Sequence, residues 1–386
     1  MNLEQSFYDV FKVQPEYRYS APARINLIGE HIDYNGGKVL PCAISCYIKA
    51  LVSKRDDDVI NAYSLNVGKG QSASIPRLQY QKEFGWCNYV FGAFVVLRSM
   101  GYRIPHGLNI LINSTIPLGS GLSSSAALLD LIVYLANDIY KLDISLKNIA
   151  KIAQKVENQY LGLKSGIMDE AAIALGLKDK CLLLDCDKYE YQYIDLRLGD
   201  YVFAVMKTNK PRSLIKSNYN ERVQECQTCL SLIQKEIPVN NLCEVSIDDL
   251  PKVQQLINNQ NLFKRARHVI KENHRVYQFV RALDTQNIQA LGQLLDESHK
   301  SLKEDYEVTG THLDFIVKYA KDAGAIGARM TGAGFGGCAI ALIDKKTFPS
   351  FKEYVERKYY EKFKLQPEVF LVDIVDGPEK EEEYEY

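Results

Sequence analysis

An apolar run at Leu108–Thr115, read as a strand, meets a helical pattern that runs from Ser123 to about Tyr140. The junction is Pro117-Leu118-Gly119-Ser120-Gly121-Leu122-Ser123-Ser124-Ser125. A strand that hands over to a helix through glycines turns the helix's unpaired first-turn N–H groups, and the positive end of its dipole, toward one point. A backbone holds an anion such as a triphosphate in this way. The glycines let the chain approach phosphate oxygens, and the serines add hydroxyl donors or a magnesium ligand. No Lys-Ser or Lys-Thr follows, as a P-loop would need, and Ser124 stands where a dinucleotide fingerprint has its third glycine. Alone, the stretch also fits a serine-capped helix after a glycine turn.

Two other stretches carry dense polarity. Ala23–Gly37 begins as a strand and ends in glycines, and it holds Arg24, Asn26, Glu30, His31 and Asp33. Short carboxylates with an imidazole suit the gripping of adjacent hydroxyls on a sugar, although a polar β-turn on a rim would read the same. Gly166-Ile167-Met168-Asp169-Glu170 stands at the start of another predicted helix, where the dipole favours Asp169 as the anion. By itself Asp169 is also an ordinary N-terminal helix charge.

With 386 residues the chain has room for two packed domains. Its 47 Lys and Arg against 48 Asp and Glu leave a net charge of −1, which gives no electrostatic reason to bind nucleic acid or an anionic membrane. Nine cysteines without a spaced framework, and no charged-then-apolar leader at Met1 to Phe11, lead us to expect a cytoplasmic protein with reduced thiols. Cys226 and Cys229 form a C-x-x-C in a charged helical stretch, with no second pair at zinc spacing. No apolar run reaches the roughly 20 residues that span a bilayer. Glu379 to Tyr386 reads as a solvated acidic tail.

The first third is β-rich, with a further apolar run at Val39–Ser53; helical spacing then covers Ser145–Tyr160 after the turn at Leu142-Asp143. Strands are expected at Lys180–Asp185 and Tyr201–Lys207, and a helix from after Arg212 to about Ile237, where Pro238 stops it. Charged helices continue to about Ala323. Strands at Ala325–Met330 and Cys338–Ile343 then flank the Gly-rich run Thr331–Gly337, before a helix at Phe348–Phe363 and a strand near Val369–Ile374. These patterns divide the chain at about residue 200, into 1–200 and a helix-rich 201–386.

Ala23–Gly37 closely resembles the segment that identifies galactokinases, Gly-Arg-x-Asn-(aliphatic)-Ile-Gly-Glu-His-x-Asp-Tyr ending in Asn-Gly-Gly. Ala23 replaces the glycine, and Ile32 stands where threonine is usual, as in the related N-acetylgalactosamine kinases. Pro117–Ala127 resembles the second motif of the superfamily of galactokinase, homoserine kinase, mevalonate kinase and phosphomevalonate kinase. That resemblance implies ATP on Gly119, Ser120, Gly121, Leu122, Ser123, Ser124 and Ser125, and Mg²⁺ held by Ser125 with Glu157. Galactokinases carry their proposed catalytic base at the aspartate matching Asp169, which we expect Arg24 to steady; Glu170, next to it where the family has Gln, is expected to add a negative charge beside the reaction. Sugar contacts are implied for Glu30, His31, Asp33, Gly166 and, from the similar segment Thr208–Arg222, for Tyr219; Lys207 departs from the family there. Ser298–Gly310 is more similar to galactokinases than to N-acetylgalactosamine kinases, and Arg329–Cys338 resembles the third, Gly-rich motif. Trp86 lies where the family has an aromatic beside adenine, and core burial suits it equally.

The resemblance implies an α/β (α+β) fold of two lobes: an N-terminal one like domain 2 of ribosomal protein S5 and a ferredoxin-like C-terminal one, with the site in the cleft. The implied reaction is ATP-dependent phosphorylation of D-galactose to α-D-galactose 1-phosphate by a monomer or weak oligomer. The alternatives are the same transfer to N-acetylgalactosamine or galacturonate, and a non-catalytic galactose and ATP sensor.

Overall fold

Helix α1 (Leu3–Phe11) opens the chain in the computed structural model, which describes residues 2–117, 119–211 and 215–381. The first half continues with β1 (Tyr17–Asn26), β2 (Lys38–Val39), β3 (Pro41–Lys54), β4 (Val59–Ser64), β5 (Lys69–Ser74), α2 (Cys87–Ser99), β6 (Leu108–Ser114), α3 (Ser124–Tyr140), α4 (Leu146–Lys155), α5 (Met168–Ala174), β7 (Lys180–Asp185) and β8 (Glu190–Asp195). The second half holds β9 (Tyr201–Lys207), α6 (Ile215–Ile233), α7 (Leu250–Leu256), α8 (Gln260–Asp284), α9 (Ile288–Glu304), α10 (Gly310–Asp322), β10 (Gly327–Thr331), β11 (Cys338–Asp344), α11 (Phe348–Phe363), β12 (Glu368–Leu371) and β13 (Glu379–Lys380). The start of the helix expected after Arg212, at Arg212–Leu214, lies outside the described residues, as do Leu118 and Glu382–Tyr386.

The first sheet runs β13-β1-β3-β6-β4-β5, and only β4 and β6 pair in parallel. Its apolar face, with Ala21, Ala23 and Ile25 fully buried, packs against α3 and α5. The β1–β3 register slips between Pro22 and Ala23, a bulge that re-aims the strand just before Arg24. Ala23 has no positive φ, so the backbone does not demand the family's glycine there.

The second sheet is β10-β11-β9-β12, all antiparallel, and with α6–α10 and α11 as crossovers it has the β-α-β-β-α-β order of a ferredoxin-like lobe. Strand β9, from Tyr201, begins this sheet, but the chain does not stay with it. The last strand ends at Leu371 rather than Ile374; Ile374 instead bridges Ile44, and Glu379–Lys380, expected in a solvated tail, pairs with Tyr19 and Ser20 of β1. An edge strand leaves a row of unpaired N–H and C=O groups, and the returning chain covers part of it. A small third sheet, β2-β7-β8, joins the first lobe to α8.

Candidate active site

Strand β1 delivers Arg24 to the seam between the lobes. Its Nε and Nη2 donate to the two oxygens of Asp169, each at 2.8 Å, and Nη1 donates to the Gly121 carbonyl at 3.0 Å. The Arg24 backbone N–H donates to the Leu122 carbonyl at 3.3 Å, so one residue ties Asp169, on the first turn of α5, to the glycine–serine loop before α3. Ser123 Oγ also donates to Asp169 Oδ2. In that loop Gly119, Gly121 and Ser123 have φ of +65°, +76° and +63°, the alternation that gathers backbone N–H groups into an anion-binding concavity.

After β1 the chain turns through Gly29-Glu30-His31, and α8 holds the turn. Glu272 accepts from the N–H groups of Gly29 (3.0 Å) and Glu30 (3.3 Å), and His268 Nε2 donates to the Glu30 carbonyl at 3.1 Å. Glu30 Oε1 in turn accepts from the Gly332 N–H at 2.7 Å and lies 3.1 Å from Arg329 Nη2. Burial raises the Glu30 pKa, while the charges of Arg329 and Arg24 pull it back. Both His31 nitrogens are engaged inside the protein, with Tyr34 Oη at 2.8 Å and the Ala333 carbonyl at 3.0 Å, so the ring has no nitrogen left for a ligand.

Asp33 faces Gly166, and a Cβ there would lie 1.9 Å from Asp33 Oδ2, so no side chain fits at 166 without displacing the carboxylate. Burial first, then the Asp169 charge, push the Asp33 pKa up to about 7. Tyr219, on α6, completes this wall, its ring 5.6 Å from His31 and 5.4 Å from Tyr34 between centroids.

Beyond Asp169, α4 ends in a π-helical turn, Val156–Tyr160, that carries Glu157 to hydrogen-bond with Ser125 and Ser165. Burial and the charge of Asp169 raise the Glu157 pKa, the state of a carboxylate that a cation beside Ser125 would relieve. No cluster of three or more His, Cys, Asp or Glu suited to a metal occurs among the described residues, and Mg²⁺ that rides on a nucleotide needs none. Glu170 does not add its charge to the cleft. It is fully buried behind α5 near Glu157 and Asp130, and burial with those charges holds its pKa well above the carboxylate range.

A cavity of about 270 Å³ is lined by Arg24, Glu30, His31, Asp33, Gly119, Gly121, Ser123, Ser124, Ser125, Gly166, Asp169 and Tyr219, together with Ser165, Met168, Gly332 and Ala333. Four expected residues stand off it. Glu157 sits behind Ser125; Ser120 and Leu122 are buried in the loop, Ser120 Oγ accepting from the Leu122 N–H at 3.3 Å. Half-buried Trp86 packs on the core and donates to the Lys69 carbonyl at 3.3 Å. Of the two C-x-x-C thiols, Cys226 lies 3.1 Å from Tyr306 Oη and Cys229 donates to the Leu262 carbonyl.

Several partners escaped the sequence reading: His268, Glu272, Tyr34, Tyr306 and the Arg329 side chain. A signal for the first two exists, since His268, Glu272 and Arg275 recur at helical spacing on the buried face of α8. Charges placed where the core should be apolar mark a built polar site.

Three family models match: the galactokinase galactose-binding signature at residues 5–54, the GHMP kinases N terminal domain at 88–177 and the GHMP kinases C terminal at 279–362. The galactokinase of Clostridium perfringens (strain 13 / Type A) is 43% identical over 379 residues, 97% of this chain and 98% of the relative; that of Staphylococcus carnosus is 43% identical with the same coverage. The crystal structure of Lactococcus lactis galactokinase complexed with galactose superposes with a TM-score of 0.94 at 39% identity, covering 98% of each chain. Methanococcus jannaschii mevalonate kinase, 20% identical with a TM-score of 0.69 over 93% of this chain and 98% of its own, shares the fold. No helix among the described residues is long and apolar enough to cross a membrane.

Proposed function

The chain belongs to the galactokinase family of GHMP kinases, and from its cleft we infer how it transfers the terminal phosphoryl group of ATP to the anomeric hydroxyl of D-galactose, giving α-D-galactose 1-phosphate and ADP. The observation that carries the reading is the Arg24 fork, which joins the Asp169 carboxylate to the Gly121 carbonyl of the phosphate loop. It supports a reaction centre in which a sugar hydroxyl beside Asp169 faces phosphate held by Gly119–Ser125.

Phosphoryl transfer asks for positioning and charge neutralisation. Asp169 accepts or orients the proton of the anomeric hydroxyl, and Arg24 fixes its rotamer and offsets charge on the transferring group. Glu30, Asp33 and the Tyr219 hydroxyl take the other sugar hydroxyls against the Gly166 backbone, while His31 shapes the wall. Ser125 and Glu157 would hold Mg²⁺, whose charge neutralises the phosphates when bound. Trp86 is the aromatic we assign to the adenine side of ATP. We place the enzyme in the cytoplasm as a monomer or weak oligomer, consistent with its nine free thiols, each buried or half-buried.

The test is ADP release with MgATP across galactose, N-acetylgalactosamine and galacturonate. We expect the highest kcat/KM on galactose; a higher value on another sugar reassigns the substrate, and ligand-induced stabilisation without turnover indicates a sensor. In the same assay Asp169→Ala should lower kcat by about 10²–10⁴-fold with little change in the KM for ATP.

A further inference from the structure

The contacts of His31 fix the direction of a longer chain of hydrogen bonds. Nε2 faces the Ala333 carbonyl at 3.0 Å, and a carbonyl only accepts, so Nε2 carries the hydrogen. Burial holds the His31 pKa down at about 3, the ring is neutral, and Nδ1 must accept from the Tyr34 hydroxyl 2.8 Å away. Tyr34 has then used its one hydrogen, so Tyr306 Oη, at 2.8 Å, donates to Tyr34, and the Cys226 thiol, 3.1 Å from Tyr306 Oη, donates to Tyr306. A single carbonyl therefore orders every proton from α6 to the Gly-rich turn after β10.

The elements joined are three of the walls of the cleft. Helix α6 carries Tyr219 as well as Cys226, the segment after β1 carries His31 and Tyr34, and the turn between β10 and β11 carries Gly332 and Ala333. Tyr306 is fully buried and absent from the cavity lining, so it can act on a ligand only through its neighbours.

We propose that Tyr306 and Tyr34 form a one-way hydrogen-bond relay that holds His31 as its Nε2–H tautomer and so latches the Ala333 turn to the sugar segment. This makes Tyr306 a positioning residue for sugar affinity. The proposal rests on the reading of the cleft as a galactose site. Without the Tyr306 hydroxyl, the Tyr34 oxygen loses its donor and the Cys226 thiol its acceptor; Tyr34 is freed to turn, His31 Nδ1 is left unpaired, and the ring can release Ala333.

Tyr306→Phe should raise the KM for sugar about tenfold and leave that for ATP within twofold. Tyr34→Phe should do at least as much, and Tyr34→Phe with Tyr306→Phe should be no worse than Tyr34→Phe alone, because a relay cut twice is still one broken relay. A sugar KM within twofold of wild type in Tyr306→Phe, or effects that add in the double variant, would overturn the proposal. Independently of folding variants and of substrate, ¹⁵N NMR of the histidine-labelled wild type, with the His31 signals identified by their loss in His31→Gln, should show a bare Nδ1 and a protonated Nε2. The opposite tautomer or an imidazolium at pH 7 also overturns it. Failure of the wild type to turn over galactose would sink the functional reading and leave this spectroscopic result standing on its own.

Discussion

Asp33 is held in the folded protein against its own preference for ionisation. Its pKa rises from 3.8 to about 7, first through burial and then through the charge of Asp169. Between those values the unfolded chain has lost the proton while the folded protein keeps it, so stability falls as pH rises from about 4 to 7 and is level above. Because Asp33 faces an open cleft, solvent screens part of the effect, and about 1–2 kcal/mol is the scale expected. Asp33→Asn should therefore unfold at a higher temperature than wild type at pH 8, with the gap closing toward pH 4.5, while sugar affinity is lost; an equal gap at both pH values would mean that Asp33 carries no such strain. Arg24, Asp33 and Asp169 were legible because each stands in a short polar motif beside a turn. Glu170 stands beside Asp169 in the sequence yet faces the core, because successive helix residues point about 100° apart.

Helix α8 holds the Gly29-Glu30-His31 turn without lining the cavity. Glu272 is fully buried and, against the cost of that burial, Arg275, His268 and Arg329 with the Ser298 hydrogen bond pull its pKa down to about 2. A depressed carboxylate contributes stability that is present above its unfolded value of 4.5 and is lost as pH falls through about 2. Glu272→Gln keeps the shape and removes the charge, leaving Arg275 buried without its ion pair, 2.7 Å in the wild type. We expect a loss of about 3–5 kcal/mol in urea unfolding and a higher KM for sugar, since the Gly29 and Glu30 N–H groups lose a charged acceptor. Unchanged stability and KM would remove α8 from the support of the site. The helix itself could be read from its periodicity, but the face it turns to the Gly29 turn, 243 residues away in the chain, could not.

At the scale of the molecule, the lobes meet through a few buried polar pairs: Thr331 Oγ1 accepts from the Asn26 N–H at 3.0 Å, and Arg329 donates to the Asn26 and Leu27 carbonyls at 3.1 and 2.8 Å. The order of motifs along the chain announced the two lobes, because each motif is local. What no local pattern carries is the path of the terminus back to β1, since two short strand residues among acidic ones read as solvated chain. That return has a measurable role. Lys380 Nζ reaches Asp138 at 3.0 Å, Glu381 reaches Lys49 at 2.6 Å, and β13 pairs with Tyr19 and Ser20 on the sheet edge. Partly exposed ion pairs contribute little, and the ladder hydrogen bonds about 1 kcal/mol each, so ending the chain at Pro378 should cost roughly 2 kcal/mol. The cavity-lining residues Arg24, Glu30 and Asp33 lie at or beyond the other end of β1 and keep their contacts, so kcat/KM well below the melting temperature should stay within about threefold of wild type, while Tm falls and light scattering on heating rises as the bared β1 edge recruits other chains. A truncated enzyme with an unaltered Tm would show that β13 covers the edge without holding the lobe, whereas lost activity at low temperature would show that the terminus reaches the cleft through the first sheet.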